Sequence, residues 1–226
     1  MKINLPKVNI LWNWNFVIAL VLLVFICLTL HEFGHYMGGK ALGEDVYMSF
    51  SFVFSEDWQV PPPLLELVAG PIVTYLLMYL GLFLLLFSVR FKLLGVVLVF
   101  PCGFLFSLFD ETQIFSILGL EHNLIYLYKV PLMLIPAIIV YLSIANKRKY
   151  LNIGSLFIIG ALFYGVLVFL IDIPFFMNPF VGEGVVFLNI FGINIYVILL
   201  TLIALALFFG KYLRYLLPTN TNIHKD

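Results

Sequence analysis

Charged side chains are scarce in this 226-residue chain, at 11% against 63% hydrophobic residues. That shortage excludes a soluble globule, which would lack the polar surface to coat itself. Cysteine is nearly missing, since Cys27 and Cys102 stand singly inside apolar runs. A disulfide framework and a thiolate zinc site are thereby excluded, and both residues read as small buried hydrophobes. Neither sign of charge prevails, with twelve basic and twelve acidic residues, so nothing points to nucleic acid or another polyanionic partner. Repeats of fixed period and low-complexity tracts are lacking too. The apolar run after Lys2 and Lys7 ends in His31 to His35 and not at a small-residue cleavage site. It is expected to be a retained helix and not a signal peptide.

Long hydrophobic runs are what the chain does have. Crossing a hydrocarbon core takes about 20 helical residues, and suitable runs lie at Leu11 to Met37, Leu64 to Val89, Leu93 to Leu118, Val130 to Ala145, Leu151 to Ile173 and Ile193 to Phe209. They are continuously apolar and do not alternate, which favours helices over a barrel. The expected fold is an all-α polytopic membrane protein of about six transmembrane helices. Residues 1–120 form a three-helix core, and residues 121–226 add three helices to the same membrane domain. Basic residues favour the cytoplasmic side. Lys2, Lys7, Arg90, Lys92, Lys147, Arg148, Lys149, Lys211, Arg214 and Lys225 fall on one side of a six-span arrangement, and only Lys40 and Lys129 on the other. Both termini are therefore expected in the cytoplasm.

One segment departs from the helical pattern. In Val46 to Phe54, Met48, Phe50, Phe52 and Phe54 alternate with Tyr47, Ser49, Ser51 and Val53, a period of two that predicts a short strand or hairpin at the membrane surface.

The chemistry is concentrated at the end of the first run, where His31, Glu32, Phe33, Gly34 and His35 form HExxH in a chain with only four histidines. On a helix, His31 and His35 stack one turn apart and both imidazoles reach one ion, while Glu32 is placed to act as general base. Ionisable groups at membrane depth cost about 3 kcal/mol each on insertion scales. Three within five residues call for a compensating partner, and zinc fits the donor set. A third protein ligand is required, from Glu66, Asp110, Glu111, Glu121, His122 or Asp172. Asp110 is favoured, because the first and third runs point the same way and it lies 18 residues beyond Lys92, much as His31 lies 24 beyond Lys7. Gly70 and Pro71 are expected to interrupt the second span near this face, exposing backbone groups to a substrate.

Together these residues resemble the site-2 protease family of intramembrane zinc proteases. His31, Glu32, Gly34, His35, Gly39 and Gly43 match the motif of its first core helix, Ala69, Gly70 and Pro71 match the AGPxxN of its second, and Phe109 and Asp110 correspond to the LDG-type motif of its third. Thr74 replaces the family's asparagine, and Glu111 replaces the glycine after the aspartate. The resemblance covers Leu11 to about Leu118. It implies zinc held by His31, His35 and Asp110, Glu32 as catalytic base, and Gly70, Pro71 and Thr74 lining the substrate path. The implied activity is cleavage of transmembrane or juxtamembrane peptide bonds in membrane-protein substrates. In the family the metal usually faces the cytosol, whereas the basic residues here place the HExxH end opposite. Two other readings are compatible with the motif: a prenyl-protein-processing type of protease completed by a distant glutamate, and a non-proteolytic metal-binding or partner-binding membrane protein.

Overall fold

The computed structural model describes residues 5–55, 63–102, 114, 117–119, 123–168 and 189–217. Helix α1 spans Trp14–Ala41, opened by Asn13, whose side chain accepts a 2.9 Å hydrogen bond from the Phe16 N–H. This cap satisfies one of the orphan donors of the first turn. The helix ends at Leu42 and Gly43, the latter at φ +81°. It runs more than a turn beyond the expected end at Met37, so HExxH lies wholly inside regular helix. No amphipathic stripe is visible in α1 because it is apolar nearly all round. Such a helix belongs at the centre, and Phe16, Leu20, Val24, Cys27 and Leu28 are all buried against neighbours.

Helix α2, Leu64–Phe87, packs more extensively on α1 than any other element does. Two glycines make the approach close. A Cβ at Gly34 would meet the Ala69 carbonyl oxygen at 2.8 Å, and one at Gly38 would meet that of Leu65 at 2.8 Å. Small residues at a helix crossing let two backbones touch. The interruption expected at Gly70 and Pro71 does not occur, for α2 continues through both. Pro71 has no N–H to offer the Leu67 carbonyl, yet packing against α1 holds the helix together.

Helix α3 begins at Lys92–Val97 and widens into π-helical turns over Leu98–Cys102. Most of the rest of the expected third span, including Asp110 and Glu111, lies outside the described residues. Helices α4 (Asn123–Ser143) and α5 (Lys149–Val166) follow. The last, α6 (Ile195–Leu207), runs on through π and 3₁₀ turns to Leu216. Trp14–Ala41, Leu64–Phe87, Lys149–Val166 and Ile195–Leu216 are long and apolar enough to cross a membrane, and Pro131–Ser143 is a shorter apolar helix. Their outer faces carry large apolar side chains, such as Leu76, Leu80 and Phe83 on α2.

The segment before α1 is tied to the α4–α5 turn. Val8 bridges Ile144, the Lys7 ammonium donates to the Leu142 carbonyl at 2.9 Å, and the Trp12 indole N–H donates to Asn152 at 2.6 Å. Lys7 and the Lys147–Lys149 run thus lie at one end of the bundle.

The other end carries a small sheet. Strands β1 (Val46–Met48) and β2 (Val53–Ser55) pair antiparallel with Val46 opposite Ser55, so the period-two segment is a hairpin as expected. A second hairpin, β3 (Asn189–Ile190) and β4 (Ile193–Asn194), joins it through a parallel pairing of β1 with β4, giving the order β2-β1-β4-β3. Its turn has Phe191 at φ +58° and Gly192 at φ +87°, and the Asn189 side chain accepts from the Gly192 N–H. Two-residue hairpin turns with positive φ at both central positions are of type I′ and favour Asn-Gly. Phenylalanine in the first position hid the turn and costs roughly 1–2 kcal/mol there. Phe191 is 87% exposed, so its ring gives little back to the fold. Phe191→Asn is therefore expected to raise the melting midpoint in detergent by about 2–4 °C. A lowered midpoint would mean that the ring is held by something other than this chain.

Candidate metal centre

Histidine geometry is the first thing α1 fixes. His31 and His35, one turn apart, are both buried, and their Nε2 atoms lie 3.2 Å from each other. Two nitrogens on one tetrahedral zinc, each at 2.0–2.1 Å, are separated by about 3.3 Å. The pair is therefore spaced as two ligands of one such ion.

The far side of each ring is held by α2. His35 Nδ1 donates to the backbone carbonyl of Glu66 at 2.7 Å, and His31 Nδ1 lies 2.7 Å from the Thr74 hydroxyl. Anchoring of the remote nitrogen by a carbonyl or hydroxyl is what orients metal-binding imidazoles in general. Gly70 makes the arrangement sterically feasible. A Cβ there would come within 2.1 Å of His35 Nε2 and within 2.4 and 2.6 Å of Cδ2 and Cε1. Approach to all three atoms places the contact on the face of the imidazole, which lies directly on the Gly70 Cα. Glu32 is buried in the same turn as the histidines.

Glu66 contributes through its backbone. Its side chain is buried, Oε2 has no hydrogen-bond partner among the described residues, and this oxygen lies beside Gly39, where an added Cβ would sit 3.2 Å away. Among the described residues no third histidine, cysteine, aspartate or glutamate gathers with His31 and His35. Asp110, Glu111, Glu121, His122 and Asp172 lie outside the described residues. Nearby, Lys40 and Asp45 form an exposed 3.5 Å ion pair, a contact worth little in stability.

Of the residues expected at the site, His31 and His35 come together on α1, with Glu32 buried in the same turn and with Gly70 and Thr74 against the two imidazoles from α2. Pro71 is buried in α2 and makes no contact of this kind in the described geometry. The Glu66 carbonyl was not foreseeable, because a backbone acceptor leaves no mark on residue type. Tyr36, next to His35, is a further link: its hydroxyl donates to the Phe191 carbonyl, fastening the β3–β4 turn to the helix that bears the histidines. Comparison with protein families, with curated proteins and with solved structures returns no match for this chain.

Proposed function

We propose that this chain is an intramembrane zinc metalloprotease of site-2-protease type that cleaves transmembrane or juxtamembrane peptide bonds of membrane-protein substrates. The observation that carries this reading is the convergence of two buried imidazole Nε2 atoms at 3.2 Å inside an apolar helix, with Glu32 in the same turn. In this reading the chain crosses the bilayer six times with both termini cytoplasmic. His31, His35 and Asp110 hold the metal.

Zinc bound there supplies Lewis-acid polarisation of a carbonyl and acidifies water. The chain's own part is proton handling and placement. The Glu32 carboxylate accepts a proton from the attacking water as its oxygen bonds to the scissile carbonyl carbon. The same proton then passes to the leaving amine as the C–N bond breaks. A substrate helix must unwind to present that bond, and an extended segment is held best by strand pairing. β1 already has β2 on one side and β4 on the other, so addition falls to an edge strand of the sheet, and within the first hairpin that is β2. Burial of Glu32 and both histidines keeps bulk water from competing with these groups.

Zinc per purified chain, measured in wild type, His35→Ala and Asp110→Ala alongside cleavage of a membrane-anchored substrate, tests the reading. About one zinc per chain is expected in wild type, with zinc and cleavage lost in both variants. Retention of zinc by Asp110→Ala would move the third ligand to another acid. A wild type that binds no zinc, purified without chelator, would remove the proposal.

A further inference from the structure

We propose that the α4–α5 turn, with the segment that straps it, binds the headgroup of an anionic membrane lipid through Lys7, Lys147, Arg148 and Lys149. The inference requires only that the apolar helices cross a bilayer, and it is independent of the metal centre. The strap is built from backbone and carboxamide bonds. The Val8 N–H donates to the Ser143 carbonyl and the Ala145 N–H to the Val8 carbonyl, both at 2.8 Å. Asn146 then grips Ile10, 136 positions away in sequence, by accepting from its N–H at 2.9 Å and donating to its carbonyl at 3.1 Å. With the Lys7 ammonium on the Leu142 carbonyl, these bonds bring a fourth cation to a run that already holds three.

Like charges gathered at one turn repel one another, and the arrangement is costly without a counter-charge. Among the described residues the chain supplies none at this end. Glu32, Glu44, Asp45 and Glu66 all lie toward the C-terminal end of α1, where Asp45 pairs with Lys40. The Lys149 ammonium stands instead over the Tyr141 ring, 5.5 Å from its centroid. An aromatic face steadies a cation without cancelling its charge, whereas a carboxylate would neutralise it. The level of the cluster selects the anion. Trp12, Tyr141 and Tyr150 are exposed around the same turn, and tryptophan and tyrosine in such a belt mark the headgroup layer. Cations at that level attract anionic phospholipids. A soluble acidic partner would be met best by cations standing clear of the belt, so the lipid is the better fit.

The test uses the full chain in an uncharged detergent, titrated with phosphatidylglycerol or with phosphatidylcholine of the same acyl chains. Bound lipid is counted by native mass spectrometry in about 0.05 M and about 0.5 M ammonium acetate, a range over which exposed charges become screened. Wild type is expected to prefer phosphatidylglycerol and to lose that preference at the higher salt. One interfacial cation is worth about fivefold in affinity. Lys147→Gln, Arg148→Gln and Lys149→Gln combined should therefore weaken phosphatidylglycerol binding at least about tenfold, whereas Lys40→Gln should leave it unchanged. Equal binding of the two lipids by wild type would overturn the proposal, as would an unweakened triple variant. A preference for phosphatidylglycerol that ignores salt would also overturn it, and that arm decides the matter even if the triple variant does not fold. Capture of polyglutamate by a wild type indifferent to the lipid headgroup would overturn it too and assign the cluster to an acidic protein. Zinc enters none of these arms, so failure here leaves the metal centre untouched.

Discussion

Gly70→Ala is expected to lower zinc affinity by at least about 100-fold, the upper end of what loss of an imidazole's support costs, with helical content unchanged by circular dichroism. The added methyl would sit 2.1 Å from His35 Nε2, far inside van der Waals contact. Relief by separating the helices is blocked, because Gly34 and Gly38 already place α1 directly on α2 carbonyls, and the rest of this packed interface would have to open with them. The softer coordinate is rotation of the His35 ring. Turning it breaks the Nδ1 hydrogen bond to Glu66 and carries Nε2 away from His31. Overpacking of this kind costs about 1–3 kcal/mol of stability, which a bundle with so large an apolar interior tolerates. Normal zinc binding by Gly70→Ala would show that the imidazole does not rest on Gly70 when metal is present.

The same glycine marks how far the residues alone could be read. HExxH announces its geometry because two histidines four apart must share a helix face, and the period-two run from Val46 announces a hairpin because only a strand repeats every second residue. The hydrophobic runs likewise foretold the helices, since length and apolarity are properties of each run by itself. Partnership between runs was harder. Gly70 and Pro71 suggested a broken helix, yet proline costs only one hydrogen bond there and glycine is needed by a ring from the neighbouring helix. Thr74 looked like a departure from the family's asparagine, and nothing in its residue type announced that its hydroxyl lies against His31. The β3–β4 hairpin escaped notice because Phe191 occupies a turn position that usually signals itself with asparagine. In each case the missing information was a tertiary contact, which one-dimensional pattern does not carry.

Glu32→Gln separates metal binding from chemistry in the opposite sense to Gly70→Ala. Glutamine has the shape of glutamate, so His31 and His35, with their anchors on Thr74 and Glu66, should be undisturbed. Zinc content is therefore expected to stay at the wild-type level. The amide cannot take a proton from water or return it to an amine, and general acid–base groups contribute about 10²–10⁴-fold to rate. Cleavage of a membrane-anchored substrate should fall by at least about 100-fold, in keeping with that range. If Glu32→Gln cleaves as wild type does, Glu32 is not the base, and a buried glutamate in the same helical turn as the two histidines would need a different explanation, such as charge balance for the cation. If zinc is lost as well, Glu32 belongs to the metal's own ligand set. A carboxylate buried in an apolar helix is costly unless it serves one of these roles, so the pairing of zinc content with cleavage in this one variant assigns Glu32 to proton transfer, to charge balance or to the metal.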